Sequence, residues 1–555
     1  MDITLETRIA DKLQFLYGDT HALDRLKGLI ETYRLPPRSD SLSERDALLI
    51  AYGDHVQQPG QPPLVTLGTF ARSHLRDLIS GIHILPFYPY TSDDGFSVVD
   101  YRAVDPALGS WNDVRALGAD FQLMLDLVLN HASVASAWFQ GFLRDEEPYR
   151  DYFVTASPDD DLSQVVRPRT LPLLTPFQTA GGQRYVWTTF SADQVDLNYA
   201  NPDVLLEIIE TLLFYVRQGA AFIRLDAIAY LWKTPGTSCI HLPQTHTVVQ
   251  LMRDVLDATA PWVKLITETN VPHEENLSYF GDGTNEAQMV YQFALPPLLL
   301  HALHTGDART LASWADGLRA PSDRVTFFNF TASHDGIGVR PASGLVSEAD
   351  LQRVYDAVIA RGGHISYKSN SDGSQSAYEL NITYFDALAV PGEPLERSVD
   401  RFLASQAVML ALVGVPGIYL PSLFGAGNWE AGVAQTGRAR TINREKYDLG
   451  ALEAAIRNPA VRSGQVFQRY QQLLRVRRTQ PAFNPANPQR VLDMHPAVFA
   501  LQRSPLLTLH NLSDEVAAVD LPGDTWHDLV RGGVYSRRAD LRPYQILWLL
   551  PGASR

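Results

Sequence analysis

The sequence contains a single cysteine, Cys239, among its 555 residues. An intrachain disulfide is therefore excluded, and one thiol in a chain of this length fits a reducing compartment. No apolar run reaches membrane-spanning length, and the first residues, Met1 to Arg8, carry acids where a signal peptide has an apolar core. These absences predict a cytoplasmic protein without a membrane partner.

Positive charge is also scarce. Lys and Arg number 47 against 62 Asp and Glu, which leaves a formal net charge of −15 and argues against nucleic acid or anionic lipid as a partner. There is no internal repeat and no phosphate-cradling glycine motif, since Gly281-Asp-Gly-Thr284 is only a weak match. We therefore expect small-molecule substrates and no organic cofactor. A homodimer is left open.

Short apolar runs alternate with helical patterns through most of the chain. This alternation predicts a parallel α/β sheet. Eight such runs favour a closed (β/α)8 TIM barrel over an open sheet. The predicted strands are Ala47–Tyr52, Ile82–Phe87, Phe121–Leu127, Ala220–Ile223, Val263–Thr267, Met289–Phe293, Val325–Phe330 and Val413–Tyr419.

Three stretches depart from this rhythm. A Pro-rich, strand-poor segment follows the third strand, and an insertion of this length is typical of a functional subdomain. A polar, Gly/Ser-rich stretch at 362–376 reads as a loop, either a mobile wall of the site or a solvated connection. The end of the chain predicts an antiparallel β-domain. The predicted divisions are 1–131 (N-terminal helical layer and first part of the barrel), 132–198 (inserted domain), 199–335 (barrel continued), 336–398 (smaller insertion after strand 7), 399–487 (barrel end) and 488–555 (C-terminal β-domain).

Arg224 and Asp226 end the fourth predicted strand with two charges. Residues two apart on a strand point to the same side, so the guanidinium and the carboxylate share a face. An adjacent cation favours the ionised carboxylate, which suits a nucleophile. A structural ion pair at a strand end explains this stretch equally well.

Polar clusters follow four predicted strands in an order that resembles the α-amylase superfamily of retaining α-glycoside enzymes. They are Asp126-Leu-Val-Leu-Asn-His131, Phe222-Ile-Arg-Leu-Asp226, Ile266-Thr-Glu-Thr-Asn270 and Thr331-Ala-Ser-His-Asp335. The resemblance extends over nearly the whole chain and includes Asp94-Gly-Phe-Ser-Val-Val-Asp-Tyr101 and Gln194-Val-Asp-Leu-Asn198.

The resemblance implies a catalytic role for three carboxyl groups. Asp226 matches the nucleophile, Glu268 the acid/base and Asp335 the residue that stabilises the transition state. Retention at an anomeric carbon needs the first two roughly 5 Å apart, one as a nucleophile and one as an acid. Because Glu268 must begin protonated, we expect its pKa to be raised.

The same resemblance implies a pocket for one glucosyl unit. Arg224 would keep the nucleophile ionised, His131 and His334 would donate hydrogen bonds to sugar hydroxyls, and Asp93 with Arg444 would close the pocket. Two aromatic rings would flank the sugar, although one of them reads equally well as a core residue. These rings are Phe96 and Phe190, the second being the ambiguous one.

Further motifs resemble the sucrose-phosphorylase branch of the superfamily. They are His334-Asp-Gly-Ile-Gly338, Tyr378-Glu-Leu-Asn-Ile-Thr-Tyr384 and Ile442-Asn-Arg444. Arg167-Pro-Arg169 resembles the phosphate loop of that branch, with Arg169 as ligand and Tyr378 as a second donor. Arginine suits phosphate because its fork binds two oxygens. Taken without the family, the loop would read as solvated surface.

Glu379, Arg438 and Arg440 distinguish this chain from sucrose phosphorylases, which usually show Gln where Glu379 stands. Together with Trp232–His241 and Thr267–His273 they look most like glucosylglycerate phosphorylases. Added arginines suit an anionic acceptor such as glycerate. A carboxylate at 379 does not, unless it binds hydroxyls or pairs with arginine.

The sequence therefore predicts a phosphorylase that cleaves a small α-D-glucoside, best 2-O-α-D-glucosylglycerate, with phosphate as co-substrate. Sucrose, sucrose 6'-phosphate and glucosylglycerol phosphorylases are alternatives, as is an α-glucosidase or transglucosylase. A non-catalytic binding relative is a remote alternative, because all three carboxyl groups are present. No metal is implied. Calcium near Asn130 would need several oxygen ligands, and a structural hydrogen bond is the simpler role.

Overall fold

A computed structural model of the protein describes residues 3–39, 41–370 and 373–552. Eight parallel strands close into a barrel in which each strand pairs with its sequence neighbours and the first pairs with the eighth. The predicted TIM barrel is confirmed. From first to eighth, the barrel strands are Leu48–Ala51, Gly81–Ile84, Gln122–Val128, Ala220–Asp226, Lys264–Thr267, Met289–Tyr291, Thr326–Asn329 and Val415–Tyr419.

Helices surround the barrel, and two more precede its first strand. In the part of the chain that the structure describes, none of them is long and apolar enough to cross a membrane. The α-helices are Ile3–Tyr17, Leu23–Tyr33, Pro63–His74, Trp111–Gly118, Ala137–Leu143, Pro202–Arg217, Pro243–Thr259, His273–Leu277, Leu295–Thr305, Arg309–Asp316, Glu348–Ala360, Tyr384–Leu388, Leu395–Ala411, Glu430–Thr436, Leu449–Arg457 and Arg462–Arg478.

The helix before the fourth barrel strand shows how local sequence delivers the chain to the site. The Asn201 side chain accepts the backbone N–H of Asp203 at 2.9 Å, and Pro202 occupies the first helical turn. Gly219 ends the helix with φ +111°, a conformation that side chains with a Cβ rarely adopt. The fourth strand begins at the next residue, Ala220, so the connection between the helix and the strand is short.

The fourth strand extends three residues beyond its predicted end at Ile223. It reaches Asp226 because the third strand pairs with it up to that residue, while the fifth strand pairs up to Leu225. Arg224 and Asp226 therefore belong to the hydrogen-bonded ladder. This fixes both side chains on one face of the strand.

Two polar segments contain strands that the sequence did not predict. The insertion after the third strand holds a hairpin, Leu174–Thr179 with Gly182–Trp187, and a short pair, His131–Ser133 with Gln194–Asp196. The stretch read as a loop at 362–376 forms an antiparallel strand, His364–Ser369, against Gln375–Asn381; positions 371–372 lie outside the described residues. Most residues of that strand are exposed or only partly buried, so it lacks the apolar alternation by which strands are recognised.

The C-terminal region is antiparallel, as predicted. Its first strand begins at Arg490, and two separate apolar clusters pack on the two sides of its larger sheet. The larger sheet contains, in spatial order, Arg490–Leu492, Val498–Arg503, Leu506–Asn511, Ile546–Pro551, Trp526–Asp528 and Val534–Tyr535; a second sheet pairs Ala517–Asp520 with Arg538–Leu541.

His510 makes the stability of this sheet sensitive to acid. Its Nδ1–H donates to the Phe499 carbonyl at 3.1 Å, and its Nε2 accepts the Trp548 indole N–H at 3.2 Å. Burial lowers the pKa of His510 to about 4, because a second proton would face a donor and find no water. In the unfolded chain the pKa returns to about 6.5.

We therefore expect the free energy of unfolding to fall as pH drops from 6.5 to 4, by about 3 kcal/mol from His510 alone, since the unfolded state binds the proton more tightly. Urea unfolding at pH 7, 5.5 and 4.5 measures this slope. The His510→Gln variant should lose that part of the slope, and the exposed control His527→Gln should keep it. Equal slopes in both variants would contradict the role of His510.

Candidate active site

A cavity opens at the carboxyl end of the barrel, where the ends of the parallel strands meet. Most of the residues predicted for the site line it. The lining residues are Asp93, Phe96, His131, Arg169, Phe190, Gln194, Asp226, Ala227, Ala229, Tyr230, Glu268, Thr269, Asn270, Val271, Phe293, His334, Asp335, Gly336, Tyr378, Glu379 and Arg440. Of the predicted set, Arg224, Arg438 and Arg444 are not among them.

Arg224 lies beneath the cavity and joins three carboxyl groups. Its Nη1 donates to Asp226 Oδ1 at 2.7 Å and also to Asp126, and its Nη2 lies 3.9 Å from Glu268. The guanidinium is 2% exposed, so these interactions are weakly screened by water. Burial disfavours ionised Asp126, but His83 and Arg224 outweigh it and lower the Asp126 pKa to about 2.

Asp226 and Glu268 end adjacent strands and form a pair. The Glu268 backbone N–H donates to the Leu225 carbonyl at 3.2 Å, which continues the ladder by one residue, and Glu268 Oε2 accepts the Ala227 N–H at 3.1 Å. Burial raises the pKa of Asp226 and of Glu268, and the neighbouring carboxylates raise each further. Such a pair releases its protons in two coupled steps.

Arg224 alone would lower the pKa of Asp226. The pKa is nevertheless raised, because burial outweighs the effect of the guanidinium. The hydrogen bonds of the two carboxyl groups to Arg224 differ. Arg224 donates at 2.7 Å to Asp226 but stays 3.9 Å from Glu268. A charge-assisted hydrogen bond favours the ionised partner, so this contact opposes the effect of burial on Asp226 more strongly than on Glu268. A nucleophile must be ionised and an acid protonated, and this difference acts in that direction.

Asp335 and His334 follow the seventh strand. Burial opposes ionisation of Asp335, but Arg440, whose Nη1 lies 2.8 Å away, together with His334 and Arg444 holds its pKa well below the usual range. Burial lowers the pKa of His334 to about 3, so this imidazole is neutral above that pH. Phe96 stacks on His334 with ring centroids 4.7 Å apart and planes 4° from parallel. Both rings lie on the cavity wall.

The rings of His131 and Phe190 contact each other on the cavity wall, with centroids 5.3 Å apart and planes tilted by 55°. The His131 Nε2 lies 2.9 Å from the Phe96 carbonyl and 3.1 Å from the Gln194 amide nitrogen. His131 therefore donates within the protein, to the Phe96 carbonyl. Phe190 is half-buried and also contacts Tyr230 edge-on at 5.6 Å, which places it in the wall and not in the core.

Arg444 lies behind the cavity. It donates to the His334 carbonyl at 2.8 Å and pairs with Asp94, while Asp93 stays 3.8 Å away and faces the cavity. Asp93 and Asp94 have φ values of 53° and 49°, a region that Asp tolerates better than most residues. The sequence predicted that Asp93 and Arg444 together close the pocket. In the structure Asp94 pairs with Arg444, and Asp93 lines the cavity.

Arg440 is enclosed by carboxylates. It donates through Nε and Nη2 to Glu379, with the Nε bond at 3.0 Å, and its Nη1 contacts Asp335 at 2.8 Å and Asp93 at 3.8 Å. Glu379 is therefore paired with an arginine, which was one of the two conditions for tolerating it beside an anionic acceptor. Arg438 is exposed and lies outside the cavity wall.

Arg169 stands between two aromatic rings. Its guanidinium carbon lies 5.2 Å from the Tyr378 ring centroid and 5.7 Å from that of Phe190. Its one hydrogen bond within the described residues goes to the Pro168 carbonyl at 3.3 Å. Burial raises the pKa of Tyr378, so its hydroxyl remains a donor at neutral pH. Most of the donors of Arg169 are free for an anion.

Lys233 fills the space beside Asn130. Its ammonium donates to Asn130 Oδ1 at 2.8 Å and pairs with Asp196 Oδ2 at 2.7 Å, with both ends of the pair almost fully buried. Asn130 thus makes structural hydrogen bonds that join the barrel to the inserted region. Across the described ranges, no cluster of three His, Cys, Asp or Glu could hold a metal ion.

Several lining residues were not singled out from the sequence, although all lie within quoted motifs or just beyond them. Tyr230 follows the fourth strand, and Thr269 and Asn270 follow Glu268. Phe293 ends the sixth predicted strand. Their closeness in the sequence to predicted site residues could have indicated them. Which of these neighbours line the cavity, however, depends on the backbone geometry.

A barrel of this kind, with two paired carboxyl groups on adjacent strands and a third carboxylate across the cavity, places the chain in the α-amylase superfamily. Residues 74–329 match the family model described as alpha amylase, catalytic domain. The chain belongs, within that superfamily, to the family of the glucosylglycerate phosphorylases.

This membership rests on similarity over nearly the full length. The chain is 48% identical over 553 residues to the glucosylglycerate phosphorylase of Allomeiothermus silvanus, covering 98% of this chain and 99% of that protein. It is 40% identical to the glucosylglycerate phosphorylase of Escherichia coli, covering 98% and 100%. The crystal structure of sucrose 6F-phosphate phosphorylase from Thermoanaerobacter thermosaccharolyticum superposes with a TM-score of 0.75 at 25% identity, covering 89% and 98%.

Proposed function

We propose that this protein is a retaining phosphorylase that converts 2-O-α-D-glucosylglycerate and inorganic phosphate into α-D-glucose 1-phosphate and glycerate. One observation carries the proposal. Asp226 and Glu268 end adjacent strands above a single guanidinium, in a cavity whose wall includes Arg169, an arginine without a carboxylate partner among the described residues. The proposed reaction uses no cofactor.

In the first step the Glu268 carboxyl group protonates the glycosidic oxygen, and a carboxylate oxygen of Asp226 attacks the anomeric carbon from the opposite face. The C–O bond to glycerate breaks, and a β-glucosyl ester forms on Asp226. The hydrogen bond from Arg224 favours the ionised form of Asp226 and orients its carboxylate along this path. Asp335 is ionised and lies across the cavity, where it stabilises the positive charge that develops on the sugar.

In the second step phosphate occupies the space that glycerate has left. An unprotonated oxygen of the phosphate dianion attacks the anomeric carbon and displaces Asp226, and the Glu268 carboxylate then takes up the proton that the new phosphate ester still carries. Two inversions give α-D-glucose 1-phosphate, with Asp226 and Glu268 restored. Arg169 and the Tyr378 hydroxyl are the donors that we assign to phosphate, since both line the cavity and neither is neutralised by a carboxylate.

The choice of glycerate over other acceptors rests on the named relatives and on the charges. Glu379 would repel a carboxylate if it were free, but Arg440 pairs with it. Sucrose, sucrose 6'-phosphate and glucosylglycerol remain alternatives for the glucoside, and an α-glucosidase or transglucosylase remains an alternative reaction. We also propose the cytoplasm as the compartment.

Incubation of the wild-type enzyme with glucosylglycerate and phosphate should release glucose 1-phosphate. Arg169→Gln should raise the KM for phosphate roughly ten- to a hundredfold, because it loses charge-assisted hydrogen bonds of about 1.5–3 kcal/mol. The measurement is initial rates over a phosphate series, with the exposed Arg144→Gln as the control in the same inserted region. Release of free glucose in place of the phosphate ester would favour a hydrolase. An unchanged phosphate KM in Arg169→Gln would place the phosphate site elsewhere.

A further inference from the structure

The arginines around the cavity fall into two groups. Arg224, Arg440 and Arg444 each contact at least two carboxylates. Arg167, Arg169 and Arg340 have no carboxylate within 4 Å among the residues that the structure describes, and of these three Arg169 lines the cavity. A partly buried guanidinium without an anion is costly, so an anionic ligand gains most at such positions.

Arg340 begins a short turn, Arg340–Ala342, in the insertion after the seventh strand. Its side chain is only partly exposed, and its Nη1 is buried without a hydrogen-bond partner in the described part of the chain. Buried N–H groups are nearly always satisfied in folded proteins. The unused donor therefore points to a ligand that is bound during turnover.

The charge of Arg340 reaches the cavity wall at Tyr230. Burial raises the pKa of Tyr230 to about 12, while Arg340 and then Arg169 act in the opposite direction on the same hydroxyl. The charges of Arg340 and Arg169 thus both act on the Tyr230 hydroxyl, and Tyr230 lines the cavity.

His241 also lies within reach of Arg340. Burial, His246 and Arg340 lower the pKa of His241 to about 4, so the ring is neutral at physiological pH. The nearest carboxylate to that ring, Glu275, lies 3.2 Å from the imidazole Nε2. In the described part of the chain, no carboxylate forms an ion pair with Arg340.

Asn270 supplies the complementary group. It lines the cavity, and its Oδ1 is buried without a partner among the described residues. Gly338 lies directly against it, and a Cβ at that position would come within 2.5 Å of Oδ1. The glycine lets the backbone that carries Arg340 pack close to Asn270. A cationic donor and an unpaired amide oxygen are thus brought to the same side of the cavity.

We propose that Arg340 binds the carboxylate of the acceptor and that the Asn270 Oδ1 accepts a hydrogen bond from an acceptor hydroxyl. The ligand class is a small hydroxy acid, and the assignment rests on the proposed function. Arg440, which the sequence favoured for this role, is already committed to Glu379 and Asp335. Arg169 stacks beside Phe190 and Tyr378 and is kept for phosphate. Arg340 is therefore a specificity-determining residue.

The test compares D-glycerate with glycerol as acceptors, with glucose 1-phosphate as the donor. In Arg340→Gln the KM for glycerate should rise roughly ten- to a hundredfold, the loss of a charge-assisted hydrogen bond, with kcat changing much less. The KM for glycerol, which carries no carboxylate, should change less than twofold. Arg340→Lys should recover part of the glycerate affinity, since it restores the charge but not the planar fork. Arg353→Gln, exposed on the following helix, is the control.

Parallel losses with both acceptors in Arg340→Gln would show that this residue only supports the fold of the loop. A wild-type enzyme that prefers glycerate, with the preference retained in Arg340→Gln, would overturn the assignment of Arg340 and leave the proposed function standing. A wild-type enzyme that does not prefer glycerate over glycerol would overturn both. The glycerol rates also report folding in each variant.

Discussion

Replacing Asp226 by asparagine should lower kcat/KM for glucosylglycerate by on the order of 10⁴-fold or more, because the amide cannot form the glucosyl ester. Asparagine keeps the size of the side chain and its position at the end of the fourth strand. The Arg224 guanidinium still has Asp126 as a partner, so the protein should fold. The measurement is steady-state release of glucose 1-phosphate, with the 95%-exposed Asp77→Asn as a matched carboxylate-to-amide control.

A second measurement separates a lost nucleophile from a damaged site. In Asp226→Ala, azide has room to attack the anomeric carbon directly, and a single displacement gives β-glucosyl azide, the inverted product. Azide should therefore restore turnover in the alanine variant and leave the wild-type product configuration unchanged. If the alanine variant gives an α-configured product, another residue of the chain is the nucleophile.

Replacing Glu268 by glutamine should lower kcat/KM for glucosylglycerate by about 10²–10⁴-fold, the usual worth of general acid catalysis. The loss should depend on the leaving group. Fluoride leaves without a proton, and phosphate dianion attacks without losing one, so α-D-glucosyl fluoride with phosphate should retain most of its activity. Comparison of the two donors in the variant and the wild type measures the effect. Equal losses with both donors would contradict the acid/base role.

The pH dependence of activity tests the same role of Glu268. The acid form of Glu268 is the reactive one in the first step, so activity should fall as pH rises through its pKa. Burial raises that pKa from the ordinary value of 4.5, which moves the falling limb toward neutral pH. In Glu268→Gln the limb should disappear, because the amide does not titrate. A limb that persists in the variant would have to belong to another group.

The barrel was predictable because its strands are buried on both faces. Ile82 and Ile84 in the second strand, or Phe327 and Phe328 in the seventh, stand in short, mainly apolar runs with helices between them. His364–Ser369 was missed for the opposite reason. Four of its six residues are polar and none of the six is buried. Pairing with Gln375–Asn381 holds it as a strand, and such pairing is a contact between segments that neither segment shows by itself.

The sequence also predicted the candidate catalytic set, through the resemblance to the α-amylase superfamily. Asp226 ends the fourth barrel strand, Glu268 directly follows the fifth, and Asp335 lies six residues after the seventh. The ends of parallel strands meet at one face, so strand order alone accounts for the convergence of the three carboxyl groups.

Which cation is free, by contrast, was decided by the tertiary structure alone. Arg440 and Arg340 are equal in charge, and the sequence favoured Arg440, with Arg438, for an anionic acceptor. In the folded chain Glu379 and Asp335 contact Arg440. The Arg340 Nη1, in contrast, is buried without a partner among the described residues, two positions after the Gly338 that packs on Asn270. A side chain's availability depends on its neighbours in space, and these come from segments tens of residues apart. Strand order in the sequence therefore indicated where the carboxyl groups converge, and packing between distant loops decided which arginines pair with carboxylates.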